Sequence, residues 1–300
     1  MTLSNLQLFS VCVVIWGSTW LAITFQLGQV AVEMSVGYRF LLASAVLFAF
    51  CRWRRMPLSF NRSQHVDLFF FGAALFSVSY ILVYYAETFI VSGMVAIGYS
   101  ASPMIAMFFS RLFFGTPMTK SVALGATLGI AGITCVFWHE FGNLSVSRNA
   151  ELGALLTMLS VVASAAGSMV AMRTQQRGLP TWTSMAWGMF YGGALSLLIG
   201  VATGKSITFE SSASYWFSLV YLSIFGSIIT FACFLTLMKR IGAAPASYVG
   251  VMVPIIALTI SLYFEKFVWG WLTTAGVFLS LLGNFVMLRG KTDGKTPAKT

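Results

Sequence analysis

The fold is decided by uncharged apolar stretches such as residues 215–238, which read YWFSLVYLSIFGSIITFACFLTLM. As a helix this stretch would extend about 36 Å, which is enough to cross the roughly 30 Å hydrocarbon core of a bilayer. Similar runs recur along the chain and make 58% of its residues hydrophobic and only 9% charged. An ordinary soluble domain has roughly 45–50% and 25%. The composition therefore predicts an all-α integral membrane protein.

Reading the apolar runs between polar breaks predicts ten transmembrane helices. Turn signals separate them, for example Gly115-Thr116-Pro117 and Lys239-Arg240-Ile241-Gly242. Ten spans of about 20 residues use most of the 300 residues, so the loops are short and no large soluble domain is expected. The predicted helices are residues 6–26, 33–51, 67–86, 91–114, 120–138, 151–172, 181–201, 215–238, 244–264 and 268–288.

The basic residues are divided unequally between the two sides of these spans. If the N-terminus is inside, the outer loops hold only Arg148, Lys205 and Lys266, and Arg39 lies within a helix. The other fourteen of the eighteen Lys and Arg residues then lie inside. The positive-inside rule therefore places both termini in the cytoplasm. The polar end of the chain, residues 291–300, is predicted to be a disordered cytoplasmic tail.

An internal repeat relates the two halves of the sequence. Residues that shape helices recur after 150 or 151 positions: Gly17-Ser18 as Gly167-Ser168, Pro103 as Pro254, Gly125 as Gly276, and Gly132 as Gly283. We therefore predict that residues 1–145 and 146–290 share one five-helix fold. Because five is odd, the second repeat enters the membrane inverted, as in many secondary transporters.

Several short motifs resemble a known family over nearly the whole chain. They are Trp16-Gly17-Ser18-Thr19, Tyr38-Arg39-Phe40-Leu41-Leu42-Ala43, the mid-helix prolines of the fourth and ninth helices, and the glycine-rich fifth and tenth helices. They resemble the EamA branch of the drug/metabolite transporter (DMT) superfamily, and more narrowly the YddG-type amino acid exporters. The resemblance implies export of aromatic and other neutral amino acids across the bacterial cytoplasmic (inner) membrane. Two positions depart from the family pattern: Thr116 replaces an acidic residue, and Glu265 comes two residues early relative to Pro254.

Polar and aromatic side chains inside the spans are candidates for a solute cavity. Aromatic rings can stack on a solute or hold an ammonium group, and hydroxyl or amide groups can line a polar path. The candidates are Trp16, Ser18, Trp20, Arg39, Tyr80, Tyr84, Tyr99, Ser164, Ser168, Trp187, Tyr191, Tyr248 and Asn284. Core packing, an interfacial aromatic belt and bonds within one helix are the alternative roles.

The most specific functional hypotheses concern Arg39 and the two mid-helix prolines. A charge inside the bilayer is costly, so Arg39 is either a structural anchor or a contact for a substrate carboxylate. Pro103 and Pro254 remove an amide donor from their helices, which makes them candidate hinges or passive kinks. No carboxylate lies near a predicted helix midpoint, so the sequence shows no buried acidic residue that could couple transport to protons or sodium. A facilitator driven by the solute gradient is therefore one of the hypotheses.

Competing functions need features that this sequence does not show. A membrane-embedded enzyme would need clustered His, Asp or Glu inside the spans, whereas His65 and His139 lie far apart in predicted loops. Efflux of another small metabolite or a drug by the same fold is the alternative within transport. We expect a small-molecule substrate, a surrounding lipid bilayer and a monomer, with no nucleic acid, cofactor or metal.

The predicted topology can be tested by cysteine labelling. We expect probes at residues 52–65 and after residue 289 to be accessible only from the cytoplasmic side, because the basic residues concentrate there. Probes at residues 140–150 should react from the opposite side. Cytoplasmic labelling of residues 140–150 would contradict both the topology and the inverted repeat.

Overall fold

The structure is a computed structural model that describes residues 3–115, 120–141, 147–242, 246, 248–265 and 270–292. Its described part is helical and contains no strand. The helices are α1 (Asn5–Thr24), α2 (Val32–Trp53), α3 (Arg62–Glu87), α4 (Ser92–Gly98, Tyr99–Ala101 and Ser102–Phe114), α5 (Lys120–Phe141), α6 (Ser147–Gln176), α7 (Thr181–Ala202), α8 (Ala213–Ile241), α9 (Val249–Phe264) and α10 (Trp271–Thr292). Thr116 and residues 293–300 of the predicted tail lie outside the described residues.

Seven of these helices are long and apolar enough to cross a membrane, namely α1–α4 and α6–α8. Two shorter apolar helices, Val249–Phe264 and Trp271–Gly283, accompany them in the second half. The protein is thus a multi-pass membrane protein. The count of ten spans and the side on which the termini lie stay predictions.

The two ends of the helix bundle differ in charge. At one end, Asp67 of α3 forms ion pairs with Arg177 at 2.5 Å and Arg173 at 3.5 Å; we call it the basic end. At the other end, Glu33 lies in the first turn of α2 and Glu87 ends α3; we call it the acidic end. Both glutamates are buried.

Helices α3 and α8 each contain a short segment of π-helix, of six residues in α3 and eight in α8. The π segments are Ala73–Val78 and Leu222–Ile229, which occupy matching positions in the two halves of the chain. A π turn widens the helix and disturbs its regular backbone bonding, and such turns are frequent at functional sites. In α8, the hydroxyls of Ser227 and Thr230 donate to the carbonyls of Leu222 and Phe225 at 2.9 and 2.6 Å. These bonds help to satisfy backbone oxygens that lipid could not.

The two mid-helix prolines have different local settings. A 3-10 turn, Tyr99–Ala101, interrupts α4 just before Pro103, which stands in the first turn of the following α-helical part. Pro103 cannot donate to the Tyr99 carbonyl, and the Ser102 hydroxyl donates to that carbonyl instead at 2.6 Å. Pro254 lies inside α9 without a break in the helix.

Glycines allow α3 and α7 to pack backbone against backbone. A Cβ added at Gly72 would lie 2.1 Å from the Gly188 carbonyl oxygen, and one added at Gly192 would lie 2.7 Å from the Gly72 oxygen. In lipid there is no hydrophobic driving force between helices, so close van der Waals packing of this kind holds them together. The contact fixes α3 on α7.

We predict that Gly72→Ala destabilises the protein, because its methyl group would collide with a backbone oxygen that has no flexible end to move. The expected loss is about 1–3 kcal/mol of unfolding free energy or a failure to fold. Thermal unfolding of the detergent-solubilised protein measures it. Gly129→Ala is the control, since an added Cβ there has no neighbour within 4 Å. Equal stability of the two variants would contradict the packing argument.

Candidate functional site

A cavity lies among six helices of the bundle. It encloses about 930 Å³ of empty space, a volume that includes open solvent at its mouth. Its walls come from α1, α3, α4, α6, α8 and α9. The lining residues are Trp16, Thr19, Trp20, Ile23, Leu75, Tyr80, Val83, Tyr99, Ser102, Ala106, Ser164, Ala165, Ser168, Met169, Phe231, Phe234, Met238, Gly250 and Val253.

The lining is aromatic and hydroxylated, and it contains no charged side chain. The Trp16 Nε1–H donates to the Gly226 carbonyl at 3.1 Å, which fixes that ring in place. Trp20 is packed edge-on against Tyr99, with ring centroids 5.1 Å apart. Its Nε1–H is buried and has no partner among the described residues. A cavity-lining side chain thus carries one donor without a protein acceptor among the described residues.

A buried arginine stands directly behind this wall. Arg39 is 1% exposed, its Nε donates to Ser227 Oγ at 3.0 Å, and its guanidinium lies 4.6 Å from the centroid of the Tyr80 ring. A Cβ on Gly226 would lie 2.8 Å from Thr19 Cγ2 and 3.3 Å from Arg39 Nη2. The glycine thus lets Arg39 approach the cavity-lining Thr19. No carboxylate lies within 4 Å of the guanidinium in the part of the chain that the structure describes.

The structure brings six of the predicted site residues together in this cavity: Trp16, Trp20, Tyr80, Tyr99, Ser164 and Ser168. Arg39 and Tyr84 form a second layer toward the acidic end. The Tyr84 hydroxyl accepts from Arg39 Nη1 at 3.4 Å and donates to Gln26 Oε1 at 2.8 Å. Both prolines lie next to the cavity in sequence but do not line it.

The other predicted site residues lie elsewhere. The Ser18 hydroxyl bonds Tyr221 Oη at 2.7 Å, away from the cavity. Trp187 and Tyr191 stack on each other toward the basic end, where Trp187 donates to the Leu58 carbonyl and Tyr191 bonds His65. Tyr248 precedes α9 and does not line the cavity. Asn284 belongs to α10, and its side chain lies outside the described part of the structure.

Reasoning from the sequence missed several lining residues, above all Phe231, Phe234 and Met169. A signal for them was present in the internal repeat. A shift of 151 residues relates Tyr80 to Phe231, Val83 to Phe234, Tyr99 to Gly250 and Ser102 to Val253, and a shift of 150 relates Thr19 to Met169. Applying the repeat to the candidate Tyr80 would have found Phe231, whereas Phe234 matches Val83, which was not a candidate.

A polar network closes the acidic end of the bundle. Glu265, at the end of α9, accepts from the Ser92 amide at 3.2 Å and from the Ser92 hydroxyl at 2.6 Å. Ser261 Oγ also donates to Glu265 and accepts from the Gly93 amide at 3.1 Å. On the α2 side, the Tyr85 hydroxyl donates to Glu33 at 2.7 Å. These bonds join the ends of α3 and α9 to the starts of α2 and α4.

Comparison with known proteins identifies relatives over both halves of the chain. The sequence profile of the EamA-like transporter family matches residues 4–138 and 152–289. The "Uncharacterized inner membrane transporter YedA" of Escherichia coli (strain K12) is 29% identical over 247 residues, 82% of this chain and 78% of that protein. The "Protein PagO" of Salmonella typhimurium (strain LT2) is 24% identical over 292 residues, 92% of each.

A solved structure described only as "Crystal structure of protein" has a similar fold. Its TM-score is 0.70 at 17% identity, and the match covers 95% of this chain and 96% of that one.

Proposed function

The chain belongs to the EamA-like transporter family and is a multi-pass membrane transporter, and from this starting point we propose that it exports aromatic and other neutral amino acids. The proposed setting is the cytoplasmic (inner) membrane of a bacterium, and the proposed mechanism is alternating access. The observation that carries the proposal is the cavity wall, which combines six aromatic rings with serine and threonine hydroxyls and no charged group.

Each part of an aromatic amino acid has a suitable counterpart in this wall. The apolar side chain would stack on Trp20, Tyr99 or Phe231, in the offset or edge-on arrangements that aromatic pairs prefer. The unpartnered Nε1–H of Trp20 would donate to an oxygen of the solute. The hydroxyls of Ser164 and Ser168 on α6 would accept from its ammonium group.

Arg39 favours a carboxylate in the cavity. Its positive charge has no carboxylate partner within 4 Å among the described residues, and it lies behind Tyr80 at the cavity wall. An uncompensated charge in a region of low dielectric raises the local potential and attracts an anionic group. The same potential disfavours a purely cationic drug, which the aromatic rings alone would accept.

We predict that the purified protein in liposomes exchanges labelled phenylalanine or tryptophan in counterflow more rapidly than glycine. Trp20→Phe keeps the ring and removes the donor, so we expect KM to rise about fivefold, corresponding to about 1 kcal/mol for one hydrogen bond. Trp216→Phe is the control, because Trp216 is exposed on α8 and does not line the cavity.

The counterflow experiment also separates the competing substrates. Exchange of organic cations without any amino acid would overturn amino acid export and favour drug efflux. An equal effect of Trp20→Phe and Trp216→Phe would show that the cavity donor does not contact the solute.

Alternating access assigns a mechanical role to the helix irregularities beside the cavity. Pro103 follows the 3-10 turn of α4, and Pro254 lies one turn beyond the cavity-lining Gly250 of α9. We expect Pro103→Ala and Pro254→Ala to fold, since alanine restores the missing donor. Counterflow should fall at least about tenfold in both variants if these helices bend during transport. Normal exchange by both folded variants would show that the prolines are passive kinks.

A further inference from the structure

An unusual buried carboxyl lies at the acidic end of α3. Glu87 is the last residue of this helix and follows Val83, which lines the cavity, by one helical turn. The residue is only 9% exposed. Neither of its carboxyl oxygens has a hydrogen-bond partner among the described residues. An acidic side chain is rarely buried in this way without a compensating donor.

The neighbouring acidic residues are bonded differently. Glu265 accepts from Ser92 and Ser261, and one oxygen of Glu33 accepts from the Tyr85 hydroxyl. Glu87 alone among these three has both oxygens unpartnered in the part of the chain that the structure describes. It is therefore the group in the acidic end whose charge is least compensated by hydrogen bonds.

The charged and titratable groups that face Glu87 come from several helices. The Arg39 guanidinium from α2 and the Glu265 carboxylate from α9 act on it electrostatically. Two tyrosines also interact with Glu87 electrostatically, namely Tyr84 on the same helix and Tyr99 on α4. Glu151 of α6, the helix packed beside α3, is exposed.

Arg39 does not neutralise Glu87 by direct contact. Its Nε and Nη1 donate to Ser227 and Tyr84, and no ion pair joins it to a carboxylate among the described residues. An ionised Glu87 would thus be dehydrated and without a hydrogen-bond donor. A carboxylate is costly in such a place, and burial favours the neutral, protonated carboxyl.

We propose that Glu87 is a proton-binding site and that its proton is exchanged for the solute during transport. In the closed arrangement seen here, the buried carboxyl holds a proton. When the acidic end opens, water reaches Glu87 and stabilises the carboxylate, so this end opens more readily when Glu87 is deprotonated. By linkage, a proton taken up by Glu87 favours closure of this end. The site supplies the coupling carrier that the sequence did not reveal.

The proposed cycle rests on the proposed function and balances protons against solute. From the acidic side, a proton binds the Glu87 carboxylate and the acidic end closes. The proton then leaves through the cavity, one helical turn away, as a solute binds there. The deprotonated, solute-loaded protein opens at the acidic end and releases the solute. One proton moves inward for each solute that moves outward.

Infrared spectroscopy tests the proton site without any solute. The wild-type protein at neutral pH should show the C=O band of a protonated carboxyl, and Glu87→Gln should remove this band. Glu151→Gln, which changes an exposed carboxylate at the same end, is the matched control and should leave the band unchanged. Absence of the band in the wild type, or its persistence in Glu87→Gln, would overturn the proposal.

Liposome transport tests the coupling. With one proton exchanged per solute, a gradient of one pH unit drives up to about tenfold accumulation, and Glu87→Gln should abolish it. Exchange at equal pH should rise with pH in the wild type, because opening needs a deprotonated Glu87, and should be independent of pH in Glu87→Gln. Glu151→Gln should behave as the wild type.

Two results separate the failure of this inference from that of the proposed function. Gradient-driven accumulation in Glu87→Gln, or accumulation driven by sodium alone, would overturn the coupling while leaving amino acid transport intact. If no amino acid is exchanged but the infrared band depends on Glu87, the proton site is supported and the proposed substrate is wrong.

Discussion

The structure depends on the need to satisfy every backbone polar group where no water is available. In the hydrocarbon core this need is met by helices, whose amides and carbonyls bond within the same segment. Where the helices become irregular, nearby hydroxyls take over, as Ser102 does for the Tyr99 carbonyl and Thr230 for that of Phe225. In the described helices, the π and 3-10 turns lie beside the cavity, where protein groups complete the bonding.

The same scarcity of water governs two buried ionisable side chains near the cavity, Arg39 and Glu87. Arg39 is held by a hydroxyl, a tyrosine and two aromatic rings instead of a carboxylate. Glu87 lacks donors altogether among the described residues. A protein that needed only stability would pair these groups or replace them with apolar residues. The absence of an ion pair to Arg39 among the described residues is consistent with groups whose partners arrive during transport: a carboxylate for Arg39 and a proton for Glu87.

The pairing of helices follows the internal repeat closely around the cavity. Helix α1 packs on α8 and α9, while α6 packs on α3 and α4, and both α2–α7 and α5–α10 pair across the two halves. The same shift of 151 residues relates Tyr80 to Phe231 and Tyr99 to Gly250, and the members of each pair lie close together at the cavity. Tyr99 is thus matched by a glycine, and Val83 by the larger Phe234, so the matched positions give the cavity an asymmetric lining.

The sequence by itself determined the membrane class, the approximate helix limits and the family, because these follow from hydrophobic run length, charge distribution and motifs that are local in the chain. It also identified six of the aromatic and hydroxyl side chains that line the cavity, because their residue types suit that role. Only the tertiary structure decided which of them meet. Trp187 and Tyr191 pack with His65 toward the basic end, and Glu33 and Glu87 are buried although they flank loops. Burial and missing hydrogen bonds depend on the packing of helices that are far apart in the sequence, so they cannot be predicted from local sequence.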